Sequence, residues 1–243
     1  MTGKLYCIGV GPGDPELITV KALKALEQSR VIFIPSPGPT SKKLALQIVE
    51  NALKERGGIG SKLVVELHFP MTRDQEALKR AWRENAQKIA QSVLKGETCC
   101  YVVLGDPLLY STFGHIHTIL REYGVEAEFI PGVSSITACP AKVGLILAEE
   151  RDTIVITPAE NLDVIKKCAS IAKTMILIKG SVNLDSVIDT IKQAGVSENT
   201  RVLYVRRCTI EGEKYVQTTI SNWEKGVIEE DYFSMLVVGG ALD

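Results

Sequence analysis

A chain of 243 residues with 28 Lys+Arg against 29 Asp+Glu carries a net charge of −1, and its 45% hydrophobic and 23% charged residues are ordinary globular values. Such a composition excludes disorder, collagen-like repeats and coiled coil, and the length allows one large or two compact domains whose core needs no disulfide or metal staple. The charge balance excludes the electrostatic footprint of a protein that lives on DNA or an anionic membrane, so any anionic partner must be met by a local patch.

The N-terminus runs from Met1 to Lys4 straight into the strand-like Leu5-Tyr6-Cys7-Ile8, with no apolar signal region. In chain order the first half alternates strands expected at 4–9, 30–34, 62–67 and 98–104 with helices near 16–28, 41–55 and 75–95. The last helix is the clearest: Leu78, Ala81, Trp82, Ile89, Val93 and Leu94 fall on one stripe, Asp74 offers an N-cap oxygen, and Lys79, Arg80, Arg83, Glu84 and Lys88 make a solvated face. Pro35-Ser36-Pro37-Gly38-Pro39 is the one strong breaker, read as a rigid surface turn or a flap over 35–42. The second half places strands near 126–130, 152–157, 174–178, 201–206 and 233–239 and helices near 113–123, 134–144, 161–172 and 183–194. Between Cys208 and Trp223, Glu211-Gly212-Glu213 separates two β-prone segments and suggests a hairpin. The pattern is that of βα units around a mostly parallel sheet, an α/β protein of two domains, 1–112 and 113–243.

The longest apolar runs, such as Met175-Ile176-Leu177-Ile178, are far below the ~20 residues of a membrane helix. Cys7, Cys99, Cys100, Cys139, Cys168 and Cys208 show no C-x-x-C spacing and read as small buried hydrophobes in a reducing cytoplasm.

Open α/β sheets bind ligands beyond the carboxyl ends of their strands. After the first strand comes Gly9-Val10-Gly11-Pro12-Gly13-Asp14-Pro15. A dinucleotide fingerprint needs a third glycine where Asp14 stands, and a P-loop needs Gly-Lys-Ser/Thr, so neither phosphate cradle is present. Gly105-Asp106-Pro107 repeats the carboxylate between glycine and proline, and Ile130-Pro131-Gly132-Val133-Ser134-Ser135 breaks a strand into a turn and a helix start. Carboxylates in such loops suit a cation, a ribose hydroxyl or a proton transfer; a helix-capping role is the competing reading.

GVGPGDPELIT at 9–19, LGDPLLYST at 104–112 and PGVSS at 131–135, with the closing SMLVVGG, resemble the tetrapyrrole methylases, S-adenosylmethionine-dependent enzymes, over essentially the whole chain. The extended GDPLLYST is similar to the branch that methylates C-20 of precorrin-2, or its cobalt complex, in cobalamin synthesis. The resemblance implies a homodimer of two α/β domains with S-adenosylmethionine folded in a cleft between them. It would lie against Gly105, Asp106 and Pro107, Tyr110, and the turn of Ser134 and Ser135, leaving S-adenosylhomocysteine as product. The loop of Pro12, Gly13 and Asp14 would face the tetrapyrrole. Where uroporphyrinogen-methylating relatives place a methionine and a Glu-Asn-Gly segment at the cofactor, this chain has Lys179 and Arg206-Arg207-Cys208.

Methyl transfer from a sulfonium to carbon is an in-line displacement, so alignment of the reactants dominates and no metal is demanded. The methylated meso carbon must then lose a proton, and Asp106 and Lys179, each following an apolar strand, are the catalytic candidates; cofactor packing and a solvated lysine are the alternatives. Substrate carboxylates call for guanidinium partners, with Arg73, Arg151, Arg206 and Arg207 as candidates. His115 and His117 stand two apart on a helix and point in different directions, and nothing ties His68 to them, so no protein-bound metal is expected. Other methylases of the superfamily, acting on a different precorrin, on uroporphyrinogen, on diphthine or on ribosomal RNA, are the near alternatives, and a nucleotide-sensing module the distant one. The pI of 6.4 argues against RNA.

Overall fold

The computed structural model describes residues 3–36, 39–180, 183–226, 228–229 and 231–240, without the side chains of 39–43. Pro37 and Gly38 of the expected turn or flap lie outside the described residues. The chain forms two compact units, 1–135 and 136–243.

The first unit is built on β1 (Leu5–Gly9), β2 (Val31–Ser36), β3 (Leu63–His68), β4 (Cys99–Val103) and β5 (Ala127–Ile130), in spatial order β3-β2-β4-β1-β5 with every pairing parallel. A parallel sheet is buried on both faces, which is why its strands are apolar without alternation. Leu5 and Cys7 pack into one layer with α3 (Gln75–Leu94) and α4 (Phe113–Glu122), whereas Tyr6 and Ile8 pack into the other with α1 (Val20–Gln28) and α2 (Pro39–Leu53). The connections leaving the adjacent strands β1 and β4 therefore depart on opposite faces. That is a topological switch point, where open sheets leave a crevice at the strand ends.

The helix expected over 16–28 is divided. Asp14 accepts from Glu16 N–H at 2.9 Å and caps a 3-10 turn at Pro15–Leu17, and Thr19 accepts from Ala22 N–H at 3.1 Å and caps α1 separately. Proline tolerates the first position of either turn, so periodicity alone does not reveal the break. Along α3, Asn85, Ala86, Ile89, Ala90 and Val93 are buried, and Leu94, expected on that stripe, is exposed. Asp74 caps the helix as expected, accepting from the N–H groups of Glu76 and Ala77.

The second unit carries α5 (Ser135–Ala141, opening at the last residue of the first unit), β6 (Ile154–Pro158), α6 (Leu162–Cys168), β7 (Thr174–Ile178), α7 (Leu184–Gln193), β8 (Arg201–Arg206), β9 (Lys214–Thr219) and β10 (Ser234–Gly239). Strand order is β6-β7-β10-β8-β9. Among the described residues of this unit only β6 and β7 pair in parallel; β10 runs antiparallel between β7 and β8, and β8 and β9 form a hairpin whose turn holds Glu211-Gly212-Glu213. The mostly parallel sheet expected for the chain thus holds for the first unit alone. The division also falls after Ser135, not between 112 and 113, because β5 pairs with β1 and α4 packs on α3. Ladder bonds between β5 and the interior strand β1 outweigh a boundary at 112.

Burial decides the thiols. Cys7, Cys99, Cys100, Cys139 and Cys208 are buried and Cys168 half-buried, and burial pushes the Cys99 and Cys100 thiols up to about 12. A raised thiol stabilises the fold fully below its unfolded value near 9, and that contribution is lost as pH climbs toward the folded value, because only the unfolded chain ionises there. Thermal midpoints are expected to fall between pH 8.5 and pH 10.5, taken as roughly the onset and middle of that window, and to fall less in Cys99→Ala. Removing the α3 cap with Asp74→Ala is expected to cost about 1 kcal/mol in urea unfolding at neutral pH.

Candidate functional site

At the end of β1 the chain enters Val10, whose N–H donates to Val103 carbonyl at 2.9 Å, and Gly11, left-handed at φ +84°. Gly105 N–H donates to Gly11 carbonyl at 2.8 Å, so the loops after β1 and β4 are joined by an isolated bridge. The loop after β5 is stapled to the same place by Asp106. Its Oδ2 accepts from Gly132 N–H at 3.0 Å while its Oδ1 accepts from Leu108 N–H at 2.8 Å. Thr19 adds a hydroxyl bond to Pro131 carbonyl at 3.4 Å.

The three loops approach closely because they meet through glycine. A β-carbon at Gly9 would fall against the Gly105 carbonyl oxygen and 2.7 Å from Gly132 Cα, and one at Gly132 would strike the same oxygen and stand 2.7 Å from Gly9. No such contact is sustainable, so backbone must lie on backbone there. Gly105, at φ +70°, has only Ser134 Cα within reach of a β-carbon, at 3.9 Å.

In this unit the expected site residues therefore share one edge. Gly105, Asp106 and Ser134 are in mutual proximity through Gly132; Gly13 and Pro107 are buried, and Pro12, Asp14 and Ser135 half-buried. Asp14 serves as a cap. Asp106 is both an acidic group at the strand ends and a structural tie, and its charge helps burial push the Cys7 thiol up. Beyond Pro107, Leu108, Leu109 and Tyr110 are exposed, and Tyr110 is left-handed at φ +54°. Gly9 and Gly132 shape this edge without having been expected to, as do Ser111, which accepts from Phe113 N–H, and Thr112, which shares a 3.0 Å bond with the buried Tyr101 hydroxyl.

The second unit gathers its own candidates. β7 and β8 flank β10 and run parallel to each other, so Lys179 and Arg207 leave the sheet at one edge, and both are left-handed, at φ +57° and +51°. Two non-glycine residues in that region mark a constrained edge. Arg206 and Arg207, expected as cations for substrate carboxylates, are already paired: Arg206 Nη1 with Glu229, and Arg207 Nε with Asp231 Oδ2 at 2.8 Å. Cys208 is buried with its sulfur 3.5 Å from the Tyr215 hydroxyl, which donates to Glu213 at 2.7 Å. A hydrogen bond from Cys139 holds the Cys208 thiol below its ordinary value and pushes Cys139 up. Arg73 and Arg151 are exposed on turns.

The histidines have other occupations. His115 stacks on Trp82 with ring centroids 4.2 Å apart, His117 packs against Phe113 and Phe129, and the His68 carbonyl accepts from Asn85 at 2.7 Å. Among the described residues no group of three or more His, Cys, Asp or Glu side chains could hold a metal ion, and no helix is long and apolar enough to cross a membrane.

A parallel sheet with a topological switch point, its strand-end loops joined through glycine backbone and the Asp106 carboxylate, defines an open α/β protein of the kind that leaves a ligand crevice at its strand ends. Residues 4–224 match the family model of the Tetrapyrrole (Corrin/Porphyrin) Methylases, and the chain belongs to that family. It is a tetrapyrrole methyltransferase. A relative in Methanocaldococcus jannaschii, named as a probable cobalt-precorrin-2 C(20)-methyltransferase, is 33% identical over 97% of this chain and 95% of its own. The X-ray structure of a cobalt precorrin-4 methyltransferase of cobalamin biosynthesis is similar with a TM-score of 0.72 at 26% identity, covering 97% of this chain and 94% of that one. The uroporphyrin-III C-methyltransferase of Thermus thermophilus, solved with S-adenosylhomocysteine, shares the fold with a TM-score of 0.68 at 21% identity over 98% and 97% of the two chains.

The glycine junction is directly testable. Gly9→Ala and Gly132→Ala are each expected to lose about 2–4 kcal/mol in chemical denaturation, as overpacked sites without room to relax do. Gly60→Ala, where a β-carbon meets nothing within 4 Å, is the control and should stay within roughly 0.5 kcal/mol of the parent.

Proposed function

We propose that this methyltransferase acts in cobalamin biosynthesis, transferring the methyl group of S-adenosylmethionine to the C-20 meso carbon of precorrin-2 or cobalt-precorrin-2 and releasing S-adenosylhomocysteine, as a cytoplasmic homodimer. The observation that carries the position of methylation is the 33% identity across nearly the whole of a relative named for C(20) methylation, together with Leu104-Gly105-Asp106-Pro107-Leu108-Leu109-Tyr110-Ser111-Thr112 after β4. The similarity to a precorrin-4 methyltransferase makes methylation at another position of the macrocycle the second reading.

The donor brings a cationic sulfonium, a ribose diol and a flat base. The residues at the switch point suit it: a carboxylate at Asp106, the space left by the missing side chain of Gly105, hydroxyls at Ser134 and Ser135, and the exposed ring of Tyr110. Lys179 and Cys208 at the strand ends of the second unit, and the Pro12-Gly13-Asp14 turn, complete the residues assigned to ligands. Asp106 acts chiefly by position. Its oxygens each hold one backbone N–H, which fixes the loops, and a carboxylate so engaged retains acceptor capacity for a ligand or a proton. Lys179 is the second candidate for assisting loss of the meso proton. The exposed Leu108, Leu109 and Tyr110 supply apolar surface of the kind that an association interface uses.

Anaerobic incubation with methyl-labelled S-adenosylmethionine and precorrin-2, or its cobalt complex, should place the label on the C-20 meso carbon by NMR; a label on a pyrrole-ring carbon would overturn the position. Asp106→Asn keeps the shape but points an amide at Gly132 N–H, and is expected to lower kcat/KM by roughly 10–100-fold. Lys179→Met is expected to do the same, and full turnover by both variants would remove any proton-transfer role. Light scattering should give twice the 26.5 kDa chain mass.

A further inference from the structure

The two arginines that end β8 are neutralised in different ways. Asp231 is built into its turn: Oδ2 accepts from Arg207 Nε at 2.8 Å, Oδ1 from Phe233 N–H at 2.8 Å, and its carbonyl from the Ser234 hydroxyl at 2.6 Å, with the side chain only 12% exposed. Glu229 is anchored by its backbone, whose carbonyl accepts from the Tyr204 hydroxyl at 2.6 Å. Its carboxylate is 74% exposed and has Arg206 as its one partner among the described residues.

Beneath it, Arg206 is 17% exposed and poorly satisfied. Nη1 meets Glu229, Nη2 reaches the Gly212 carbonyl at a long 3.5 Å, and the buried Nε has no partner among the described residues. A guanidinium is a planar fork matched to two carboxylate oxygens, and a buried donor left without an acceptor is costly. The same strand edge carries Lys179, so it concentrates cationic side chains.

We propose that Glu229 is an internal stand-in for a substrate carboxylate: an acidic arm of the tetrapyrrole replaces it on Arg206, so Glu229 sets how tightly, and for which polyanions, that arm is accepted. The assignment rests on the reading of the acceptor as a polycarboxylate tetrapyrrole. Asp231 is not exchanged, since its oxygens hold the turn as well as Arg207. With Glu229 open to water the carboxylate side of the pair is easily resolvated, which lets the exchange occur without a large barrier to binding.

The test is a fluorescence titration of the full chain with uroporphyrin, a stable tetrapyrrole octacarboxylate, at fixed ionic strength. Glu229→Gln should bind about two- to fivefold more tightly than the parent, the range that competition from a solvent-exposed carboxylate allows. Glu229→Asp, which retains the charge, should bind less tightly than Glu229→Gln, and adding Arg206→Gln to Glu229→Gln should abolish the gain. Should the double variant not fold, the Gln-against-Asp comparison still decides. Equal or weaker binding by Glu229→Gln, or an equal gain from Glu224→Gln at another exposed acid of the same unit, overturns the proposal while leaving the acceptor reading intact. If the parent neither binds uroporphyrin nor methylates precorrin-2, the acceptor reading fails and this proposal with it.

Discussion

Three glycine backbones in close approach, two of them without room for a β-carbon, hold the loops at the strand ends of the first unit together. Gly9 ends β1, Gly105 follows β4 and Gly132 follows β5, and the carbonyl of Gly105 occupies the space that a methyl on either of the others would need. Everything nearby depends on that approach. The Gly11–Gly105 bridge forms only because the first two loops touch, and Asp106 can reach Gly132 N–H only because the third lies against them. Parallel strands deliver the loops to one edge, and the opposite exits of the β1 and β4 connections keep helices off it.

The second unit meets a different constraint. β10 enters antiparallel between β7 and β8 and is buried along its whole length, so two strands that run the same way end on either side of its first residues. Lys179 and Arg207 take left-handed backbone where they leave that edge, and carboxylates from the segment before β10 pair with the adjoining guanidiniums. Charge that sums to almost nothing over the chain is thus arranged locally, a carboxylate edge in one unit and a paired cationic edge in the other.

Much of this was legible in the residues. Apolar runs separated by amphipathic stretches gave the strands and helices to within a few residues, and the Gly-Asp-Pro repeats with Pro-Gly-Val-Ser-Ser gave both the loops and the family. What was not legible depends on contacts distant in sequence. Nothing local in Ser234 to Gly239 states that the strand inserts antiparallel, because a strand buried on both faces reads alike in either direction. Nor does the sequence show that β5 belongs with β1, which moves the division to Ser135. Arg206 and Arg207 read as open cations because their partners lie more than twenty residues downstream, and Gly9 and Gly132 read as turn formers because the clash they avoid is with each other. The split of the first helix was the reverse case: Asp14 and Thr19 are both good caps, and the local signal for two starts was present.

The glycine junction of the first unit is the proposed seat of the methyl donor. Hydrogen–deuterium exchange by mass spectrometry, with and without S-adenosylhomocysteine, tests it most directly. The predicted result is slowed exchange in 104–110 and 131–136 on adding S-adenosylhomocysteine, and none on adding NAD or ATP. Unchanged exchange in both segments at a concentration where calorimetry shows S-adenosylhomocysteine bound, or equal protection by NAD or ATP, would contradict it.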